Sequence, residues 1–178
     1  MNSSPGGDVL EGQGGADTID GGPAPGDGTL DPSDPFDVVD FTYSPQGVVV
    51  NLYDGTASGE GADLLHNVED IVGTPFNDEL TGNGLDNAVQ ALQGNDYIYT
   101  GDGLDTLFGE VGDDYIDGGP GVDIGNGGPG TDTCRNINNP VGGAPDECET
   151  RLWDQCGEFD NCRRQDRSKG REPTIRRK

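Results

Sequence analysis

From residue 73 to 135 an apolar place returns once every nine residues, filled by Leu80, Val89, Ile98, Leu107 and Ile116 and then by Gly125 and Cys134. Two places earlier stands an acid or its amide: Asp78, Asn87, Asp96, Asp105, Asp114, Asp123 and Asp132. The frame is unbroken through GTPFNDELT, GNGLDNAVQ, ALQGNDYIY, TGDGLDTLF, GEVGDDYID, GGPGVDIGN and GGPGTDTCR. Glycine recurs at the first, second and fourth places and tolerates left-handed backbone, so the first six residues of each unit predict a tight turn. Places seven to nine leave room only for a very short strand with one inward side chain.

Such a strand forms no core alone, but stacked copies share one, which is the logic of a solenoid. If each unit is a turn plus a strand, two units make an 18-residue lap with alternate turns on opposite edges. Asp78, Asp96, Asp114 and Asp132 then line one edge, and Asn87, Asp105 and Asp123 the other. Stacked strands lie about 4.8 Å apart. Carboxylates at that spacing raise one another's pKa unless a cation separates them. Oxygen donors on flexible turns suit Ca²⁺, with about 6 to 8 ligands, better than strictly octahedral Mg²⁺. Asp102 and Asp113 occupy places three and five of the same turns and are expected to lie off the ladder.

The nonapeptide resembles the RTX, or hemolysin-type, calcium-binding repeat. The resemblance implies an all-β fold, a right-handed parallel β-roll, binding several Ca²⁺ between turns of successive laps. It also implies the ligand set: the sixth-place Asp with main-chain carbonyls of places two and four. Carried onto this chain, those are Asp96, Asp105, Asp114, Asp123 and Asp132 with Gly94, Gly101, Gly103, Gly112, Gly119, Gly121, Gly128 and Gly130, together with Leu92 and Glu110 at place two. Phe76 and Leu85 replace the fourth-place Gly, and Asn87 replaces the Asp, so units carrying Asp78 and Asn87 are expected to bind less well or to cap the stack.

Around the block of residues 73–135 the chain divides into a partial repeat block at 1–23, a spacer at 24–72, a cysteine-bearing cap at 136–162 and a basic tail at 163–178 expected to be disordered. Asp8 and Asp17 already follow the nine-residue phase, with Leu10 and Ile19 two places later. The phase breaks at Gly21. Residues 37–41 and 47–53 predict two longer strands separated by the turn-like Ser44, Pro45 and Gln46. LLHNVEDIV then re-enters the frame with Glu69 at place six and Ile71 at place eight, and His66, the one histidine, is read as a polar turn residue. Cys134, Cys148, Cys156 and Cys162 allow three pairings, of which Cys134 with Cys148 and Cys156 with Cys162 is favoured. Their spacing lacks the close CxxC pairs of structural zinc sites.

Charge sharpens this picture. The formal net charge is −24, yet all ten Lys and Arg lie at Arg135 or beyond, so residues 1–134 carry only acids. Such a segment is expanded by self-repulsion and lacks a divalent partner. Nucleic acid is excluded as a partner because phosphate contacts need clustered bases on a folded surface. Residues 1–20 show no signal peptide and no transmembrane segment is expected. GxSxG, HExxH and phosphate-cradling GxxxxGK motifs are absent, so no catalysis is expected of this chain. The expectation is an extracellular or cell-surface, monomeric calcium-binding protein. The alternatives are a C-terminal calcium module of a larger secreted hydrolase or toxin, and a surface adhesion spacer.

Overall fold

A computed structural model describes residues 7–22, 36–140 and 150–152. These residues form short strands and no helix. In chain order the strands are β1 (Val9–Leu10), β2 (Thr18–Asp20), β3 (Val38–Asp40), β4 (Val49–Asn51), β5 (Thr56–Ser58), β6 (Ala62–His66), β7 (Asp70–Val72) and β8 (Glu79–Thr81). They continue as β9 (Ala88–Gln90), β10 (Tyr97–Tyr99), β11 (Thr106–Phe108), β12 (Tyr115–Asp117), β13 (Asp123–Asn126), β14 (Thr133–Arg135), β15 (Ile137–Pro140) and β16 (Thr150–Leu152).

From β7 onward successive strands alternate between two sheets. One is seven-stranded, in the order β1-β3-β7-β9-β11-β13-β15, and the other nine-stranded, β16-β14-β12-β10-β8-β4-β5-β6-β2. Each repeat strand lies parallel to the strand two units away, Tyr97 opposite Tyr115 and Thr106 opposite Ala88. This is the 18-residue lap.

A strand of three residues turns its middle side chain inward and its two neighbours outward. Stacking therefore piles the eighth places on one another. Ile98 lies between Leu80 and Ile116 in one sheet, and Leu107 beside Val89 in the other. All five are buried. Burying one such side chain contributes roughly 1.5–3 kcal/mol, which no single unit can turn into a core but a stack can. Gly125 is the gap in this column. Ile137 fills it, since a Cβ on Gly125 would sit 2.9 Å from Ile137 Cδ1. The register between β13 and β15 shifts at Asp123 and Ile124, where Ile137 crosses over.

The spacer strands belong to the same two sheets as the repeats. β3 pairs directly with β7, whereas β5 and β6 are inserted between β4 and β2 in the opposite sheet, with β5 antiparallel to both its neighbours. The two runs expected as longer strands are only three residues each, β3 and β4. Lap geometry sets that width: Asp37 and Val48 are drawn into the turns, where both are buried. The units of Asp78 and Asn87 do not cap the stack. β8 has β4 and β10 as neighbours, and β9 has β7 and β11. His66 is exposed at the end of β6 rather than in a turn. No free cysteine occurs among the described residues, and Cys134 is buried at the last inward place. Cys148, Cys156, Cys162 and the basic tail lie outside the described residues, as does the expected pairing.

On the outer face of the larger sheet Tyr97 and Tyr115 stack with ring centroids 4.9 Å apart. The Arg135 guanidinium donates to the Tyr115 hydroxyl at 3.4 Å and lies 3.8 Å from Asp117. These part-buried contacts are few on the outer face, and the inward column is expected to dominate stability. Ile116→Ala is expected to cost about 3 kcal/mol in a urea titration of the calcium-saturated chain, within the range of buried Ile→Ala changes. A loss below about 1 kcal/mol would show that the column is not the core.

Candidate metal centre

At each lap the chain must leave a strand, turn and re-enter the opposite sheet, and the N–H at place six then faces the neighbouring lap. A carboxylate 18 residues later, on that next lap, supplies its acceptor. The Asp78 N–H donates to Asp96 Oδ1, the Asp96 N–H to Asp114 Oδ1 and the Asp114 N–H to Asp132 Oδ1, each at 2.8 Å. On the opposite edge the Asn87 N–H donates to Asp105 Oδ1 at 2.9 Å and the Asp105 N–H to Asp123 Oδ1 at 3.1 Å. Structure thus places the sixth-place acids in the two predicted columns, but as buried rungs that continue the sheet ladder through the turn.

Only one oxygen of each carboxylate is used in this way. Oδ2 of Asp96, Asp105, Asp114 and Asp123 is buried without a hydrogen-bond partner. A buried, unpaired anionic oxygen is costly, and a cation is the partner that removes the cost. Asp78 and Asn87 differ. The Thr74 N–H donates to Asp78 Oδ2 at 2.6 Å, and the Val48 N–H and the Thr74 hydroxyl donate to its Oδ1. Asn87 accepts from the Asn83 N–H and donates to the Glu69 carbonyl at 2.7 Å. Both side chains are satisfied by the protein itself.

Main-chain packing around the acids explains the glycines. A Cβ on Gly112 would collide with the Gly94 carbonyl oxygen, and Gly130 stands in the same relation to Gly112. Gly94, Gly103 and Gly121 similarly sit over the fourth-place carbonyls of Phe76, Leu85 and Gly103. At place two Gly101, Gly119 and Gly128 are left-handed, with φ of 98°, 76° and 89°. Leu92 and Glu110 hold the same conformation at 82° and 70°, an uncommon one for residues with a Cβ. Among the described residues no three His, Cys, Asp or Glu side chains converge. A cation here would take most of its oxygens from turn carbonyls, which fits a hard ion with many oxygen ligands and not zinc.

Burial is the first cause of raised carboxyl pKa values, ahead of repulsion between neighbouring acids, which is a correction to the expectation from spacing. It takes Asp96 to about 7, against the Asp78 N–H that lowers it, with Asp114 and Asp78 adding a repulsive part. Asp114 and Asp123 are raised to about 6 by the same cause. Burial raises Asp105 as well, while the Asn87 N–H and the Thr100 side chain beside it favour its charged form.

A second ladder runs outside the first and was not read from the sequence. The Asn95 N–H donates to Asn77 Oδ1, the Asp113 N–H to Asn95 Oδ1 and the Thr131 N–H to Asp113 Oδ1. Its donors point toward the earlier lap, opposite to the inner ladder. Asp113 is therefore a rung and not a neutral comparison for Asp114; Asp102, exposed and at place three, remains one. The 18-residue recurrence of Asn77, Asn95 and Asp113 was the available signal.

A family model for the RTX calcium-binding nonapeptide repeat matches residues 2–23, 72–107, 81–115 and 99–134. The chain carries RTX calcium-binding repeats. No curated protein matches it. The RTX matches cover the buried carboxylates with unpaired oxygens in the main block and the partial block near the N-terminus, while most of the spacer lies outside them.

Two predictions follow from the RTX site geometry. Asp114→Ala removes an acceptor from the Asp96 N–H and a carboxylate from the inner column, so it should lower calcium affinity at least tenfold and cost about 2 kcal/mol by thermal melting. Asp102→Ala should stay within about 0.5 kcal/mol. Equal losses in the two variants would assign the effect to charge density.

The raised carboxyls also give a sign for pH. In chelator the folded chain holds protons that the unfolded chain, with carboxyls near pH ~4, releases. Its stability is then fully present below that value and is lost as pH rises through 6 to 7, the range of Asp114, Asp123 and Asp96. Circular dichroism in chelator should show more β-structure at pH 5 than at pH 8, where the chain is mostly coil, and Asp114→Asn should shrink the difference. Loss of structure on acidification to pH 5 would contradict it.

Proposed function

We propose that this chain is a calcium-binding extracellular module whose right-handed parallel β-roll forms when several Ca²⁺ enter the turns of its RTX repeats. The observation that carries the reading is the set of buried, unpaired Oδ2 atoms on Asp96, Asp105, Asp114 and Asp123, repeated at one-lap spacing inside RTX repeats. Those carboxylates would hold the ions together with carbonyls of the glycine turns. The ion would supply positive charge to an acidic segment that has no Lys or Arg before Arg135.

Calcium is scarce in the cytoplasm and abundant outside the cell, so coupling of folding to the ion makes the module fold where it works. Its role is binding and structural, without a catalytic step of its own, and it acts as a monomer. A cation at 100 times its dissociation constant stabilises the fold by about 2.7 kcal/mol per independent site, so a few sites decide whether the roll forms.

Circular dichroism of the full chain should show mostly coil in chelator at pH 7.5 and β-structure in millimolar Ca²⁺, with Mg²⁺ a poor replacement. A spectrum indifferent to chelation would overturn the proposal.

A further inference from the structure

Three tyrosines cluster on the outer face of the nine-stranded sheet. Tyr97 and Tyr115 stand opposite each other on β10 and β12 with rings stacked at 4.9 Å, and Tyr99 stands two places beyond Tyr97 on the same face. Tyr97 is 45% and Tyr99 38% exposed. Glu79 flanks Tyr97 from β8, and Asp117 stands opposite Tyr99 on β12. Contiguous aromatic surface left open in the middle of a sheet marks an interaction site.

One guanidinium is already held on this face. Arg135, opposite Asp117 on β14, donates to the Tyr115 hydroxyl at 3.4 Å and lies 3.8 Å from the Asp117 carboxylate. An aromatic ring with an acid beside it suits a planar cation, and arginine better than lysine. Tyr97, Tyr99 and Glu79 repeat that combination one step further along the sheet, with no cation beside them among the described residues.

The chain itself supplies an occupant. β16 lies next to β14 in this same sheet, with Leu152 opposite Arg135, so the described part of the polypeptide ends at the border of the tyrosine face. Residues 163–178 carry eight Arg and Lys against two acids, whereas residues 1–134 carry acids and no base. The field of the acidic roll draws such a segment inward. From β16 to β10 is three strand spacings, about 14 Å. Residues 153–162 span up to about 33 Å when extended, so the basic run reaches Tyr97 and Tyr99. Its covalent connection gives it a local concentration that no separate cationic segment matches. The inner-ladder acids are buried and offer it no surface.

We infer that the basic segment 163–178 docks on the outer face of the larger sheet, with its arginines over Tyr97 and Tyr99 beside Glu79, and clasps the last laps of the roll. The segment would cover the open aromatic surface and bring positive charge to the part of the chain that lacks it.

Trypsin reads this segment selectively, because it cuts after Lys and Arg and none precedes Arg135. The test measures, by mass spectrometry, how fast trypsin cuts within residues 163–178 of the full chain in millimolar Ca²⁺. It compares wild type with the double variant Tyr97→Thr/Tyr99→Thr, with Glu79→Gln, and with Tyr43→Thr, an exposed tyrosine in the turn after β3 of the other sheet. Threonine keeps the strand preference at the exposed places, and circular dichroism in Ca²⁺ checks that the roll is kept. The double variant should be cut about fivefold faster than wild type or more, Glu79→Gln about twofold faster, and Tyr43→Thr at the wild-type rate. Glu79→Gln carries the test alone if the double variant loses the roll. Equal rates in wild type and in the variants of this face would overturn the inference. So would protection that grows with protein concentration, which assigns the segment to a second copy, or protection that appears only with vesicles of anionic lipid, which assigns it to a membrane.

Discussion

A buried carboxylate with one oxygen in a hydrogen bond and the other unpaired is the constraint to which the rest of this structure answers. The N–H at place six has to be paired as the chain turns, because an orphaned buried donor costs on the order of 1–3 kcal/mol. Aspartate reaches it from the next lap and extends the parallel ladder beyond the three-residue strands. In doing so it brings a charge into the interior, and burial, with a smaller repulsive part from Asp114 and Asp78, lifts Asp96 to about 7. The fold is therefore coherent as hydrogen-bond geometry and incomplete as electrostatics. A cation would resolve the second without disturbing the first.

The turn backbone is shaped by the same need. Side chains at place four would strike the carbonyl of the lap before, so Gly112 and Gly130 let successive turns come together and leave carbonyl oxygens near the acids. At place two the left-handed backbone persists even where Leu92 and Glu110 stand, which shows that the turn, and not the residue, sets the conformation. Where the acid is already paired or is replaced, another arrangement takes over: Thr74 satisfies Asp78, Asn83 and Glu69 satisfy Asn87, and Val48 joins the apolar core.

The two sheets also differ in a way that bears on stability. One strand per lap builds the seven-stranded sheet, while β5 and β6 widen the other without a counterpart. The apolar column survives because Ala57 and Leu65 point inward like any eighth-place residue.

Periodicity alone determined the lap, the inward column and the two files of acids, since stacking equal units makes residues 18 apart neighbours whatever surrounds them. It also determined that Asp96, Asp105, Asp114 and Asp123 would share one environment. Pairings across unequal spacings were decided only by tertiary structure: β2 with β6, β3 with β7, and Ile137 into the gap at Gly125. Those depend on loops of different length meeting at one strand spacing, and no local pattern carries loop length into register. A nine-residue unit at residues 58–66, with Gly59, Gly61, Asp63 and Leu65 at places two, four, six and eight, was present in the letters, but its partner lies 46 residues earlier, and only the fold brings Asp63 to the Asp17 N–H. Which acids are satisfied was likewise decided there, because Asp78 and Asp96 read alike in sequence and differ by the Thr74 and Val48 donors that packing places beside one of them.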